Sequence, residues 1–162
     1  MKALVVYASW FGYNRAIAKT IVEDLTQRGI TVACAPISKV EPSEVAGFDI
    51  LVLGTYTHLG HASKRMRDFC DAIPQRWLDR VAVAVFGTQL EDAHQRGDPS
   101  GVDDLLTALA ACGCEVITRP LRFIIPQQAA LRRWTQFTPQ EVAQIQTFTD
   151  ELYEVSEHAL VV

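Results

Sequence analysis

Five short runs of this chain are apolar almost without a break: ALVVYA (3–8), ITVACAPI (30–37), FDILVLGT (48–55), VAVAVFG (81–87) and CEVITRPL (114–121). A strand with one wet face alternates apolar and polar residues, whereas a run without alternation has to be covered on both faces. Between the runs the period changes to that of helices. Ile17, Ile21, Val22 and Leu25 are spaced for one buried stripe that stops at Gly29, and Met66, Phe69, Cys70 and Ile73 for another that stops before Pro74. A loop of charged residues with Gly97, Pro99 and Ser100 leads to a helix that turns Leu105, Leu106 and Leu109 inward and ends at Gly113. TPQE (138–141) opens the last helix: Thr138 caps, Pro139 takes the first helical position and Glu141 closes a capping box. Its buried stripe is Val142, Ile145, Phe148, Leu152 and Val155. Repeated strand–helix units predict an α/β chain with a doubly wound, five-stranded parallel sheet, helices on both faces, in one domain over residues 1–162.

The net charge of −4 argues against nucleic acid as a partner, since phosphate backbones call for a clustered basic surface. No run is long enough to span a bilayer and none has the order of a signal peptide, which points to a cytoplasmic protein with no transmembrane segment. Cys34, Cys70, Cys112 and Cys114 include only a lone CxC, so reduced, mostly buried thiols are expected and no metal site. His58 and His61 lack an evident third ligand.

Ligands of doubly wound sheets bind beyond the carboxyl ends of the strands, where strand order reverses. The segments that matter are therefore 8–14, 55–62 and 87–99. The first has no GxGxxG or GxxxxGK[ST], no acidic pair and no cysteine, which excludes dinucleotide-binding, P-loop, receiver and cysteine-phosphatase sites. A phosphate dianion can instead be held by backbone N–H groups at the start of a helix, with Gly12 permitting a tight turn.

SWFGYN (9–14) resembles the first loop of the flavodoxin-like family, roughly [ST]-x-x-G-x-[ST]. Ser9, Gly12 and Asn14 stand on the signature positions, with Asn14 replacing the last hydroxyl residue. GTYTHLGHASKRMRDFCDAI (54–73) is similar to that family's second flavin loop and the helix behind it. GTYTHLGH and PLRF also resemble the menaquinone-dependent protoporphyrinogen oxidase branch, although 121–137 is modest beside the long insertion of that branch. The resemblance implies strand order 2-1-3-4-5 and FMN as cofactor. It places the phosphate on Ser9, Gly12 and Asn14 and the ring near Trp10, Phe11 and Tyr13. Thr57, His58, Leu59 and Gly60 would run past the ring's N5 side, with His58 or Tyr56 as a stacking substitute. Gly87, Thr88, Gln89 and Leu90 would pass its other edge, where the tyrosine of many flavodoxins is missing.

Plainer readings stay open: Ser9 and Asn14 as helix caps, the aromatics as core or docking patch, and 87–90 as a simple connection. Lys64, Arg65 and Arg67 are either a solvated face or a landing site for an acidic redox partner or a small anionic substrate. The stretch 119–134, with Arg119, Arg122, Arg132 and Arg133, is expected to cover the core. No catalytic acid or base stands out. The leading expectation is an FMN-binding electron-transfer protein serving protein partners. A quinone- or tetrapyrrole-linked oxidoreductase and a flavin-free interaction module are the alternatives, and a homodimer is left open.

Overall fold

The structure, a computed structural model, describes residues 1–127 and 136–161. In chain order the first elements are β1 (Lys2–Tyr7), α1 (Tyr13–Gln27), β2 (Thr31–Pro36), β3 (Ile50–Thr55), β4 (Thr57–His58) and β5 (His61–Ala62). There follow α2 (Lys64–Ala72), α3 (Gln75–Leu78), β6 (Ala82–Leu90), α4 (Glu91–Gln95), α5 (Gly101–Ala111), β7 (Leu121–Ile125) and α6 (Pro139–Val161). The main sheet is parallel with order β2-β1-β3-β6-β7, and β4 and β5 pair as a separate antiparallel hairpin. With the hairpin set aside, this is the expected 2-1-3-4-5 order.

The period of two along each central strand sorts its side chains between two cores. Ala3, Val5, Ile50, Val52, Ala84 and Phe86 pack with Ile17, Ile21 and Leu25 of α1 and Ile145, Phe148 and Leu152 of α6. Leu4, Val6, Leu51, Leu53, Val83 and Val85 pack with Met66 and Phe69 of α2 and Leu105 and Leu109 of α5. Both cores are needed because β3 is buried along its whole length. Thr138 and Glu141 cap α6 reciprocally, at 3.0 and 3.2 Å.

Several expectations need correction. Residues 87–90 are not a loop: they continue β6, which pairs with β3 through its first half and with β7 through its second. The fifth strand therefore lies at 121–125 rather than 114–121, and the earlier stretch keeps only an isolated bridge between Val83 and Val116. As an edge strand β7 alternates buried and exposed residues, a pattern that a search for continuous apolar runs passes over. The charged loop after residue 90 begins with the short helix α4. Cys34, on the other edge, is exposed, while Cys70 and Cys114 are buried. Arg132 and Arg133, with the rest of the 119–134 stretch beyond residue 127, lie outside the described residues. No helix among the described residues is long and apolar enough to cross a membrane.

Gly54 of β3 stands opposite Phe86 of β6, and a Cβ on it would lie 2.1 Å from the Phe86 Cζ. Gly54→Ala should therefore lower the unfolding free energy by about 1–3 kcal/mol through overpacking. Adding Phe86→Leu should cost less than the sum of the two single changes, as measured by urea denaturation.

Candidate functional site

The chain passes from β1 to β2 on one side and crosses to β3 on the other, so the segments that follow β1 and β3 diverge at the carboxyl end of the sheet. A cavity of about 620 Å³ opens there. Ser9, Trp10, Phe11, Tyr13, Asn14, Thr57, His58, Leu59, Gly60, Thr88, Gln89 and Leu90 all line it. Gly12 stands outside the lining as the residue that begins α1, and Gly87 borders a neighbouring hollow of about 400 Å³ instead.

Gly12 has φ 87°, a left-handed conformation that turns the chain sharply from β1 into the helix. Among the described residues no protein acceptor meets the backbone N–H groups of Trp10, Phe11, Gly12, Tyr13 or Asn14. The first turn of α1 holds no acidic residue, so the positive end of the helix dipole is not neutralised from within. The Ser9 hydroxyl oxygen accepts from the Arg15 N–H at 3.4 Å, which leaves its own proton to donate.

Asn14 does not offer a donor to the cavity. Its Nδ2 donates to the Ala8 carbonyl at 2.9 Å and to Thr88 Oγ1 at 3.4 Å, tying the first loop to β6. Its Oδ1 is buried without a partner, an acceptor waiting for a hydroxyl or N–H donor. The side chain therefore offers the cavity an acceptor and no donor.

The hairpin β4–β5 forms the second wall. Leu59 and Gly60, its two turn residues, have φ 49° and 80°. A leucine in the left-handed region costs on the order of 1–2 kcal/mol, and this one is also 85% exposed. Thr57 has no hydroxyl proton free for a ligand: it donates to the Thr88 carbonyl at 2.8 Å and accepts from the Gly101 N–H at 2.8 Å. Trp10, 59% exposed, reaches from the first loop to this wall, with its ring 5.4 Å from that of Tyr56 and 5.5 Å from that of His58.

Gln89 and Thr88 close the third side. Gln89 Nε2 donates to the Asp98 carbonyl at 2.9 Å, so its side-chain oxygen is the group left for a ligand. The cavity also recruits Tyr56, Ala93, Arg96, Asp98, Pro99 and Ile125. Tyr56 was legible as an aromatic of the second loop. The 96–99 turn lay inside a segment flagged by its place in the topology, but nothing in its residue types singled out a member. Ile125 arrives only because β7 runs four residues past the predicted strand end at 121.

In the first turn of α2, Lys64 pairs with Asp68 at 2.6 Å and Arg67 approaches Asp104 at 3.6 Å, while Arg65 is exposed. Burial, with nearby Asp71, Cys112 and Cys114, pushes the Cys70 thiol up to about 12, which leaves it protonated and unreactive. Among the described residues no group of three His, Cys, Asp or Glu is placed to hold a metal ion.

A doubly wound sheet in this order, with a cavity at the β1/β3 switch point, defines the flavodoxin-like class of α/β folds. The chain belongs to the flavodoxin family: the flavodoxin domain model matches residues 4–111, more than half of the chain. FMN is the cofactor of that family. The chain is similar to "Probable flavodoxin 1" of Bacillus subtilis, 31% identical over 88 residues that make up 54% of this chain and 56% of that one. It is also similar to "NAD(P)H dehydrogenase (quinone) 3" of Rhizobium meliloti, 27% identical over 107 residues, with 54% of this chain and 50% of that protein covered. The chain thus spans about half the length of the curated relatives it matches. The crystal structure of oxidised flavodoxin 1 from Bacillus cereus shares the fold, with a TM-score of 0.72 at 21% identity over 95% of this chain and 98% of that chain.

The N-terminus of α5, which carries one wall of the site, is itself held by a charged box. Ser100 and Asp103 cap each other, and Arg122 of β7 donates to both, at 3.0 and 2.7 Å. Burial would raise the Asp103 carboxyl, but the hydrogen bonds from Arg122 and Ser100 outweigh it and hold the group below its ordinary value. A depressed value means that the stabilisation is present above the ordinary carboxylate range and is lost as pH falls through the folded value. Asp103→Asn should therefore be less stable than the parent chain near neutral pH, and the gap should shrink as the solution is acidified below the carboxylate range, as read by urea unfolding at several pH values.

Proposed function

We propose that this chain is an FMN-carrying redox protein that transfers electrons between protein partners. The observation that supports it most is the cluster of unpartnered N–H groups over residues 10–14, at the positive end of α1 and beside a cavity of about 620 Å³. Those N–H groups, with the Ser9 hydroxyl, hold the phosphate. The orphaned Asn14 Oδ1 accepts from the ribityl chain, so a buried side-chain atom left unmatched among the described residues fits the cofactor.

Trp10, Tyr56 and His58 give the ring an aromatic wall on the hairpin side. The Thr88 hydroxyl can donate and the Gln89 side-chain oxygen can accept at its polar edge. Bound FMN would supply one- and two-electron redox chemistry. The chain's own part is to orient the ring, shield it on one side and leave an edge open. Leu59 and Trp10 present exposed apolar surface at that edge, and Arg65 adds a charge for an acidic partner; Lys64 and Arg67 are engaged within α2 and with α5. A quinone-linked oxidoreductase is the second reading, favoured by the similarity to "NAD(P)H dehydrogenase (quinone) 3".

The purified protein should show flavin absorption bands and release FMN rather than FAD. A colourless protein that fails to quench added FMN fluorescence would refute the reading. Gly12→Ala, at a left-handed position, should raise the Kd for FMN about tenfold and that for riboflavin far less, because only FMN uses the N–H cluster. Steady NAD(P)H oxidation with a quinone as acceptor would decide for the enzyme over the carrier.

A further inference from the structure

The hairpin that walls the cavity is too short to hold its own shape, since β4 and β5 are two residues each. Besides the Thr57 hydroxyl bond to the Thr88 carbonyl of β6, what fixes it comes from the first turn of α5. Gly101 lies directly beneath it: a Cβ there would sit 2.4 Å from the Tyr56 carbonyl oxygen and 3.1 Å from the Ala62 Cα. Its N–H reaches Thr57 at the near end of the hairpin. At the far end the Ala62 N–H donates to Asp104 Oδ2 at 2.9 Å, the hydrogen bond that joins β5 to the helix. The same oxygen is 3.6 Å from His61 Nδ1 and 3.6 Å from Arg67 Nε, an atom buried without any hydrogen-bond partner. Asp104 is outside the cavity lining, yet one carboxylate oxygen gathers β5, α2 and α5.

We infer that Asp104 is a positioning residue for the flavin's ring-side loop: its carboxylate anchors the β5 end of the hairpin to α5 and so holds residues 57–62 in the form that accepts the ring. This inference rests on the FMN reading for its effect on binding, but its effect on the hairpin can be seen without any flavin. Two consequences separate it from a general packing role. The first is selectivity between parts of the ligand. Asp104 serves the hairpin and not the loop of residues 10–14, so its loss affects the ring and leaves the phosphate contacts alone. The second is local opening. An amide held by a carboxylate is among the stronger hydrogen bonds of a protein, and its loss takes from β5 the hydrogen bond that joins it to α5.

The test is Asp104→Asn, which keeps shape and removes charge, with Asp104→Ala as the second variant. Amide hydrogen exchange in the flavin-free protein should quicken at 57–62 while the central strands keep their protection. The Kd values for FMN and riboflavin, read by fluorescence quenching, should rise by the same factor as each other, roughly tenfold in Asp104→Ala, the scale of a lost charge-assisted hydrogen bond, and less in Asp104→Asn, whose side-chain oxygen still accepts from the Ala62 N–H. The visible band of bound FMN should move toward that of free FMN as water reaches the ring. Unchanged exchange at 57–62 in both variants would overturn the inference, as would a loss confined to FMN with riboflavin unaffected. If the parent protein binds neither flavin, the cofactor reading falls and the exchange measurement alone decides on the anchor.

Discussion

The central strands β1, β3 and β6 are covered on both faces, and this condition decides where chemistry can take place. A strand closed above and below by α1, α6, α2 and α5 has no side chain to offer a ligand except at its ends. At the amino ends of β2 and β6 the chain returns from helices through short connections. At the carboxyl ends three segments leave in different directions, and the reversal of strand order between β2-β1 and β3 keeps the first two of them apart. The cavity is a consequence of that divergence.

Each wall of the cavity solves a different physical problem. The first loop leaves backbone donors free, which is tolerable only at a surface where water or an anion can meet them. The hairpin keeps an exposed leucine in a left-handed turn, a strained choice where Asn or Gly would be cheap, and one that fits a contact surface at the open edge. The third side uses β6 beyond its partner β3, where Thr88 receives Asn14 from the first loop and Thr57 from the hairpin. Thr88 thus ties all three walls together. Nothing about a threonine in a buried strand announces such a place.

The fold was legible because its signal is repeated and local. Apolar runs, helical stripes and caps such as Thr138 and Glu141 are properties of neighbouring residues, and each reads correctly without knowledge of the others. The misplaced fifth strand shows where this stops. CEVITRPL looks more like a buried strand than LRFII does, but β6 extends nine residues, and its upper half selects the segment that reaches it. Ser9, Trp10, Phe11, Tyr13, Asn14 and Thr57 to Gly60 line the cavity from segments that topology and the family resemblance mark, whereas Ile125 and the members of the 96–99 turn were not legible. The direction of the site's hydrogen bonds was not legible either, because the Asn14, Thr57 and Gln89 side chains each satisfy a backbone group far away in sequence.

The sequence by itself determined the layers, through periodicity and turn residues, and the ends of the strands at which a ligand is expected; the family and its strand order came with the resemblance carried by short loop motifs. Only the tertiary structure decided which polar atoms remain open to that ligand. Donors and acceptors are shared out between segments tens of residues apart, as Asp104 is between β5, α2 and α5, and that sharing exists only after the chain has closed on itself.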